Sequence, residues 1–148
     1  MSKLIEQVQS SELSRNPLKV FSAAEKTPVT VTRRDGEDLV LMSKKETESV
    51  PQFHSHVAQV VSALDDERGT LVERMTRYFP WMLALELDAQ EECAKDLIRT
   101  TKAALATNAP TLALAELNAW TATAETKALG IDFDDVEWLE TPILVERP

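Results

Sequence analysis

The chain has 148 residues, which is the length of one domain or of a small domain with a substantial appendage, and two full catalytic domains do not fit. Its composition, 43% apolar and 28% charged, is that of an ordinary globular protein and argues against wholesale disorder. The net charge of −9 argues against unassisted nucleic-acid binding, because phosphate neutralisation requires clustered Lys and Arg.

The charge is divided unevenly along the chain. Residues 1–34 contain six basic and three acidic residues, a net charge of +3, whereas residues 130–148 contain six acidic residues and one arginine, a net charge of −5. A chain that is basic at one end and acidic at the other is a candidate for two different partners, one anionic and one cationic.

The sequence contains no signal for export or membrane insertion. The N-terminal residues include no apolar stretch of the kind found in a signal peptide, and no window approaches 18 uncharged apolar residues. The single cysteine, Cys93, cannot form an internal disulfide, which fits a reducing compartment. We therefore expect a cytoplasmic protein without a membrane partner.

The first predicted elements are a short edge strand within residues 3–8 and one amphipathic helix after it. Ser10 and Ser11 offer hydroxyl groups that can cap this helix. Pro17 lacks the amide hydrogen that a helix interior requires, so either Ser14 is the true cap or the first turn is kinked. The apolar face of this helix is predicted to consist of Leu13, Pro17 or Leu18, Phe21 and Ala24.

A β-hairpin follows this helix. Val29-Thr-Val-Thr-Arg-Arg alternates with the two-residue period of a strand, and Asp38-Leu-Val-Leu-Met is typical of a buried strand. Asp35 and Gly36 lie between the two runs and tolerate positive φ angles, which predicts a tight turn.

From residue 52 onward helical spacing replaces the strand pattern, and the prolines are predicted to mark the segment boundaries. The last helix is predicted to begin at Pro110 and to end near Gly130, which is predicted to form a left-handed cap, and core packing is predicted for Trp120. The other predicted apolar positions are Phe53, Val57, Val60, Val61, Leu64, Leu71, Met75, Tyr78, Phe79, Leu83, Leu87, Ala94, Leu97, Ile98, Thr101 and Leu105.

These elements predict an α+β fold in three parts. Residues 1–50 form a small sheet-and-helix domain, residues 51–129 an all-helical region, and residues 130–148 an extended acidic tail. The tail places Trp138 among carboxylates, an arrangement typical of an interface anchor. The alternative is that the tail docks on the helices of its own chain.

Two motifs in the first third of the chain carry a family resemblance. They are Ser11-Glu-Leu-Ser-Arg-Asn at the start of the helix and Pro28-Val-Thr-Val-Thr-Arg-Arg-Asp-Gly-Glu-Asp-Leu-Val-Leu-Met-Ser in the hairpin. On these motifs, residues 2 to about 48 resemble the prevent-host-death (Phd/YefM) antitoxin family of bacterial type II toxin-antitoxin systems. The resemblance implies a dimerisation domain in which two subunits join their sheets and present paired helix starts to operator DNA.

The residues of both motifs suit contacts with DNA. Serine hydroxyls at a helix start can contact phosphates, Arg and Asn can reach base edges in the major groove, and arginines beside the turn can hold the flanking backbone. The alternative for these side chains is a solvated face. The predicted DNA-binding residues are Ser10, Ser11, Ser14, Arg15, Asn16, Arg33 and Arg34.

The resemblance also implies that a C-terminal segment binds and inhibits a cognate toxin. Carboxylates and apolar anchors in the tail can cover a basic site on such a partner. The helical region is longer than the family's usual toxin-binding segment, which leaves three alternatives: an extended toxin-binding platform, an oligomerisation domain or a ligand sensor. We favour the first. The predicted toxin-binding residues are Trp120, Phe133, Asp134, Asp135, Glu137, Trp138, Leu139, Glu140, Ile143 and Leu144.

No pattern in the sequence predicts an enzyme or a metal site. The chain has too few glycines for a phosphate-binding loop and no nucleophile motif, and Cys93 lies at helical spacing with Leu97, which indicates a buried inert thiol. His54 and His56 point about 200° apart on a helix and are expected to be exposed. We expect no cofactor and no small-molecule substrate.

The sequence therefore predicts an antitoxin that neutralises a toxin through its C-terminal region and represses its own operon through its N-terminal domain. One alternative is a stand-alone transcriptional regulator with a helical ligand-sensing or oligomerisation domain. Another is a structural scaffold whose N-terminal domain only dimerises.

Overall fold

The computed structural model describes residues 6–131 and shows a mixed α+β fold that is mostly helical. Residues 6–41, which we call the first half, contain the strands and two short helices, and residues 44–131, which we call the helical half, contain only helices. In chain order the elements are β1 Glu6–Gln9, α1 Ser10–Arg15, α2 Pro17–Ala24, β2 Val29–Thr32, β3 Leu39–Leu41, α3 Lys44–Asp65, α4 Leu71–Tyr78, a short 3-10 helix Pro80–Ala84, α5 Leu87–Thr107 and α6 Pro110–Ala128.

The three strands form one sheet in the order β1-β2-β3, with β1 parallel and β3 antiparallel to β2. The predicted edge strand is confirmed as β1, although its residues 3–5 lie outside the described residues. The predicted hairpin is also confirmed. Its connection, residues 33–38, is however a longer loop and not the tight turn that Asp35 and Gly36 predicted.

The single helix predicted after β1 is divided in two at Asn16, where the backbone has φ −135° and ψ 60°. Pro17 is the first residue of α2, where its missing amide hydrogen is harmless. The predicted serine caps are wrong, because Gln9 precedes α1 and no side chain caps either helix. The break also changes which residues face the sheet, so that Val20 is buried while Leu18 and Phe21 are exposed.

The sheet and its helices enclose a small core of their own. Val20, Ala24 and Val29 are buried at its centre. The partly buried residues around them are Val8, Leu13, Ala23 and Leu41. These side chains come from β1, α1, α2, β2 and β3, so every element of this first half contributes to a core of very few residues.

The helical half has a larger core. Met75, Phe79, Met82 and Leu97 are buried at its centre, and Trp81 and Trp120 pack against it from the side, partly buried. The core packing predicted for Trp120 is therefore confirmed, and Cys93 is buried as predicted. Burial, with smaller effects of the Asp96 and Glu116 charges, raises the pKa of the Cys93 thiol to about 12, so the thiol is inert at neutral pH.

Several predicted features of the helical half are wrong. Pro51 does not end a helix but lies inside α3, so the predicted boundary between residues 50 and 51 falls within a helix. Leu83, Leu87 and Leu105 are exposed, because Leu83 belongs to the separate 3-10 helix, Leu87 begins α5 and Leu105 lies in its last turn.

His56 is also misplaced by the sequence prediction. Only 1% of its surface is exposed, and its Nε2 lies 2.8 Å from the Oγ1 atom of Thr101 on α5. It shares the buried face of α3 with Phe53 and Val60, which lie three residues before it and four after it. His54 is exposed as predicted.

A polar network fixes the loop between α3 and α4. The Asp66 carboxylate accepts hydrogen bonds from the side chain and backbone of Arg68 and pairs with Arg77, which together hold its pKa at about 2. Arg74 donates to the backbone oxygens of Leu64, at 3.2 Å, and Asp66, at 2.8 Å. The Arg74 side chain therefore ties α4 to the C-terminal end of α3.

Within residues 6–131, no helix is both long and apolar enough to cross a membrane. Over the same residues, no three His, Cys, Asp or Glu side chains are grouped in a way that could hold a metal ion.

Candidate nucleic-acid interface

The pairing of β1 with β2 brings two distant segments of the chain to one edge of the sheet. Parallel strands end at the same edge, and in this register Gln9 faces Thr32, the last residues of the two strands. The Oγ1 atom of Thr32 donates a hydrogen bond to the Val8 oxygen at 3.2 Å, which ties the two strand ends together. Consequently α1, which begins at Ser10, and the hairpin loop, which begins at Arg33, leave the sheet side by side.

A polar cleft of about 800 Å³ opens between α1 and the hairpin loop. It contains six of the seven residues that the sequence predicted for DNA binding, although they come from segments about twenty residues apart in the chain. Asn16 is the exception: it lies exposed at the break between α1 and α2 and does not line the cleft. The cleft is lined by Gln9, Ser10, Ser11, Ser14, Arg15, Thr32, Arg33, Arg34 and Asp35.

The positive charge of this cleft is not neutralised from within. Arg15, Arg33 and Arg34 are exposed, and none of them forms an ion pair with another described residue. Asp35 is the one acidic side chain in the lining. The arginines Arg68, Arg77 and Arg99 of the helical half are, in contrast, paired with aspartates. The cleft is therefore suited to an external anion.

Gly36 gives Arg33 space on the loop. The glycine has a φ of +151°, and the guanidinium atoms of Arg33 lie 3.2 to 3.4 Å from the point where a Cβ atom would be. A larger residue at this position would strain the backbone and push against the guanidinium group. The sequence predicted Gly36 for its turn geometry alone, and its contact with Arg33 was missed.

Three lining residues were not predicted: Gln9, Thr32 and Asp35. A usable signal was present, because Gln9 and Thr32 directly precede the predicted residues Ser10 and Arg33 in the chain. Recognising it requires knowing that β1 and β2 are parallel and in this register, which no local pattern specifies.

Apolar side chains are exposed on the same half of the molecule. Leu18 is 80% and Phe21 49% exposed, three residues apart on one face of α2. Leu39 pairs with Val31 in the antiparallel register and so lies on the helix-covered side of the sheet, yet it is 52% exposed. Leu18 and Phe21 form an apolar surface without a partner among the described residues, which we call the α2 apolar face.

Of the predicted toxin-binding residues, Trp120 lies within the described part of the chain. Trp120 is half-buried against the helical core, which leaves part of the indole accessible. The remaining predicted residues lie outside the described residues: Phe133, Asp134, Asp135, Glu137, Trp138, Leu139, Glu140, Ile143 and Leu144.

No protein-family model, no curated protein and no solved structure matches this chain. Its function is therefore inferred from the geometry of the cleft and from the resemblance of its motifs.

Proposed function

We propose that this chain is the antitoxin of a type II toxin-antitoxin system. Its N-terminal domain binds operator DNA through the cleft between α1 and the hairpin loop and so represses its own operon. Its helical region and acidic tail bind and neutralise the cognate toxin.

The observation that carries the DNA-binding part is the convergence of three unpaired arginines and three serines in one cleft. Guanidinium groups can bind phosphate or the O6 and N7 atoms of guanine through two hydrogen bonds, and serine hydroxyls donate to phosphate oxygens. The chain as a whole is strongly acidic, so its basic groups must act from one place to attract a polyanion. The cleft is such a place.

A homodimer supports useful affinity for DNA. Three phosphate contacts from one cleft bind weakly, whereas two linked clefts on adjacent half-sites gain from a high effective concentration. The small core of the first half and its exposed α2 apolar face favour burial against a second copy, because such small units usually need additional stabilisation. This agrees with the dimer that the family resemblance implies.

Binding to the promoter region upstream of the chain's own gene tests the DNA assignment. We expect Arg15→Ala, Arg33→Ala and Arg34→Ala each to weaken binding, by about 5- to 150-fold where the arginine contacts a base. An arginine that contacts only phosphate should instead reduce the slope of log K against log salt by about 0.9. Lys26→Ala is the matched control, since it removes one exposed positive charge outside the cleft.

Fluorescence anisotropy over a range of salt concentrations measures both quantities. If the three arginine variants bind like Lys26→Ala, the cleft is not the DNA-binding surface.

Co-expression with the protein encoded beside this gene tests the antitoxin assignment. We expect the neighbour to inhibit growth alone and to be harmless in a stable complex with this chain. Removal of residues 130–148 should abolish neutralisation and leave DNA binding in place, because the cleft lies in the first 35 residues. A non-toxic neighbour that does not bind would refute the antitoxin role.

A stand-alone regulator is the second candidate. The observation in its favour is a largely apolar hollow of about 520 Å³ on the helical half, of a size that fits a small ligand. This candidate predicts DNA binding that changes with a small molecule and no toxic neighbour, so the same co-expression separates the two.

A further inference from the structure

An elongated groove runs along the helical half between α4, the 3-10 helix and α5. It consists of two adjoining hollows of about 520 and 470 Å³ that share Leu71 and Lys95. Leu83 and Leu87, which border the first hollow, are 66% and 78% exposed. An apolar surface of this kind on a soluble domain is a candidate docking site. We call it the α5 groove.

The second hollow of the α5 groove is basic. Lys95, Arg99 and Lys102 follow one another at spacings of four and three residues, which places them on one side of α5. Arg99 pairs with Asp96 at 2.8 Å, but Lys95 and Lys102 form no ion pair with a described residue. Two acidic residues line the first hollow, and one of them, Glu73, is already engaged in capping α4. The groove therefore combines an apolar end with a basic end.

Residues 132–148 of the same chain have the complementary chemistry. This segment contains six acidic residues. Large apolar side chains lie among them: Phe133, Trp138, Leu139, Ile143 and Leu144. An apolar hollow beside lysines can bury such side chains and hold the neighbouring carboxylates at its rim.

The position of α6 brings this segment close to the groove. Ala113 packs with Ala104, and Ala124 packs in the cluster with Ala94 and Leu97, so α6 runs antiparallel to α5. The end of α6 therefore lies level with the beginning of α5, where Leu87 borders the groove. The helix ends at Ala128, and the seventeen residues that follow Ile131 can span about 55 Å when extended, whereas α5 is about 31 Å long.

We propose that residues 132–148 dock in the α5 groove of their own chain, with apolar side chains in the first hollow and carboxylates against Lys95 and Lys102. This inference rests on the groove, the charges and the end of α6, and it does not depend on the antitoxin assignment. Where the tail also binds a toxin, the groove competes for the same segment.

Zero-length carbodiimide cross-linking of the full chain tests the docking, because it joins a lysine amine to a carboxylate only when the two are in contact. We expect mass spectrometry to find amide links from Lys95 and Lys102 to the acidic residues of the tail. Lys19 and Lys26, which lie on the first half of the molecule, are the internal controls. Tail links that are absent, or that occur equally at Lys19 and Lys26, would overturn the proposal.

Mixing isotopically labelled and unlabelled chains distinguishes a second copy as the occupant. At low protein concentration we expect every link to join a lysine and a carboxylate of the same chain. Links predominantly between labelled and unlabelled chains would show that the groove takes the tail of another copy, and the proposal would fail in its present form.

Charge reversal provides an independent measurement. In the Lys95→Glu/Lys102→Glu variant we expect a protease specific for acidic residues to cleave the tail about two- to tenfold faster than in the unaltered chain, because two exposed ion pairs are lost. Lys19→Glu/Lys26→Glu makes the same change of charge elsewhere and should leave the rate unchanged. Equal rates in both variants would contradict the docking, and circular dichroism verifies that the helix content of the chain is unchanged.

Discussion

At the scale of single residues, His56 is the most informative side chain of the helical core. Its ring lies 5.6 Å from that of Phe79, its Nε2 contacts Thr101, and its Nδ1 is buried without a hydrogen-bond partner among the described residues. Burial lowers the pKa of His56 below its ordinary value of 6.5. The imidazole is therefore neutral in the folded protein at neutral pH.

This burial predicts a loss of stability in mild acid. As the pH falls below about 6.5, the unfolded chain binds a proton at His56 that the folded chain does not, so unfolding becomes more favourable by up to about 1.4 kcal/mol per pH unit. We expect His56→Gln to remove this component between pH 7 and pH 5.5, whereas His54→Gln, at an exposed position, retains it. Urea denaturation at several pH values measures the difference, and equal pH dependence in the two variants would contradict it.

The sequence allowed the basic residues of the cleft to be predicted but not the burial of His56. Arg15, Arg33 and Arg34 carry a positive charge, and an unpaired charged side chain is almost never buried, so their exposure could be predicted from residue type. On α3, the apolar pattern is broad enough to fit two faces, and Val61, one of the predicted core positions, is 55% exposed. Packing against Phe79 and Thr101 selects the face that contains His56, and that choice depends on tertiary contacts.

At the scale of elements, the ends of the helices follow recognisable chemistry. Thr70 and Glu73 form a capping box at the start of α4, in which each side chain binds the backbone amide of the other. At the end of α6, Gly130 has a φ of +72°, and the amides of Gly130 and Ile131 bind the oxygens of Lys127 and Thr126. This is a Schellman motif, and it confirms the predicted left-handed cap.

The capping box predicts a measurable cost for its removal. We expect Thr70→Ala to lower the free energy of unfolding by about 1 kcal/mol, because the amide of Glu73 loses its acceptor. Thr123→Ala is the matched control, since Thr123 is exposed inside α6 and alanine is the better helix former. Urea denaturation compares the two, and an equal effect would show that the cap contributes nothing.

The prolines show where prediction from local signals is insufficient. Pro17 and Pro110 each begin a helix, but Pro51 lies inside α3 at a cost of roughly 3 kcal/mol in an isolated helix. The buried face that follows it, which begins at Phe53, stabilises α3 through tertiary contacts. A prediction rule that ends a helix at every proline does not take this tertiary stabilisation into account.

At the scale of the whole molecule, the α+β order of elements was predictable because the change from two-residue to helical spacing is strong. The cleft was predictable only as a set of residues, since its geometry depends on the parallel pairing of β1 with β2. The exposed α2 apolar face was not predicted at all. It appears because Asn16 divides the predicted helix and turns Leu18 and Phe21 away from the core.

This face leads to a prediction about the assembly. We expect the chain to be a dimer in solution and the Leu18→Ser/Phe21→Ser variant to be a monomer that has lost most of its DNA affinity. Leu112→Ser, at an exposed position on α6, should remain dimeric. Analytical ultracentrifugation gives the mass of each, and a dimeric double variant would place the interface elsewhere.

The continuity of α3 determines how the two halves of the chain are oriented. None of its residues 44–52 is buried, so about 13 Å of helix without a core residue separates the hairpin from the first core residue, Phe53. One residue inserted in this stretch would rotate everything after it by about 100°, while leaving both cores intact. A seven-residue insertion would restore nearly the same rotation at a greater distance, so in α3 the length of the chain sets an angle as well as a spacing.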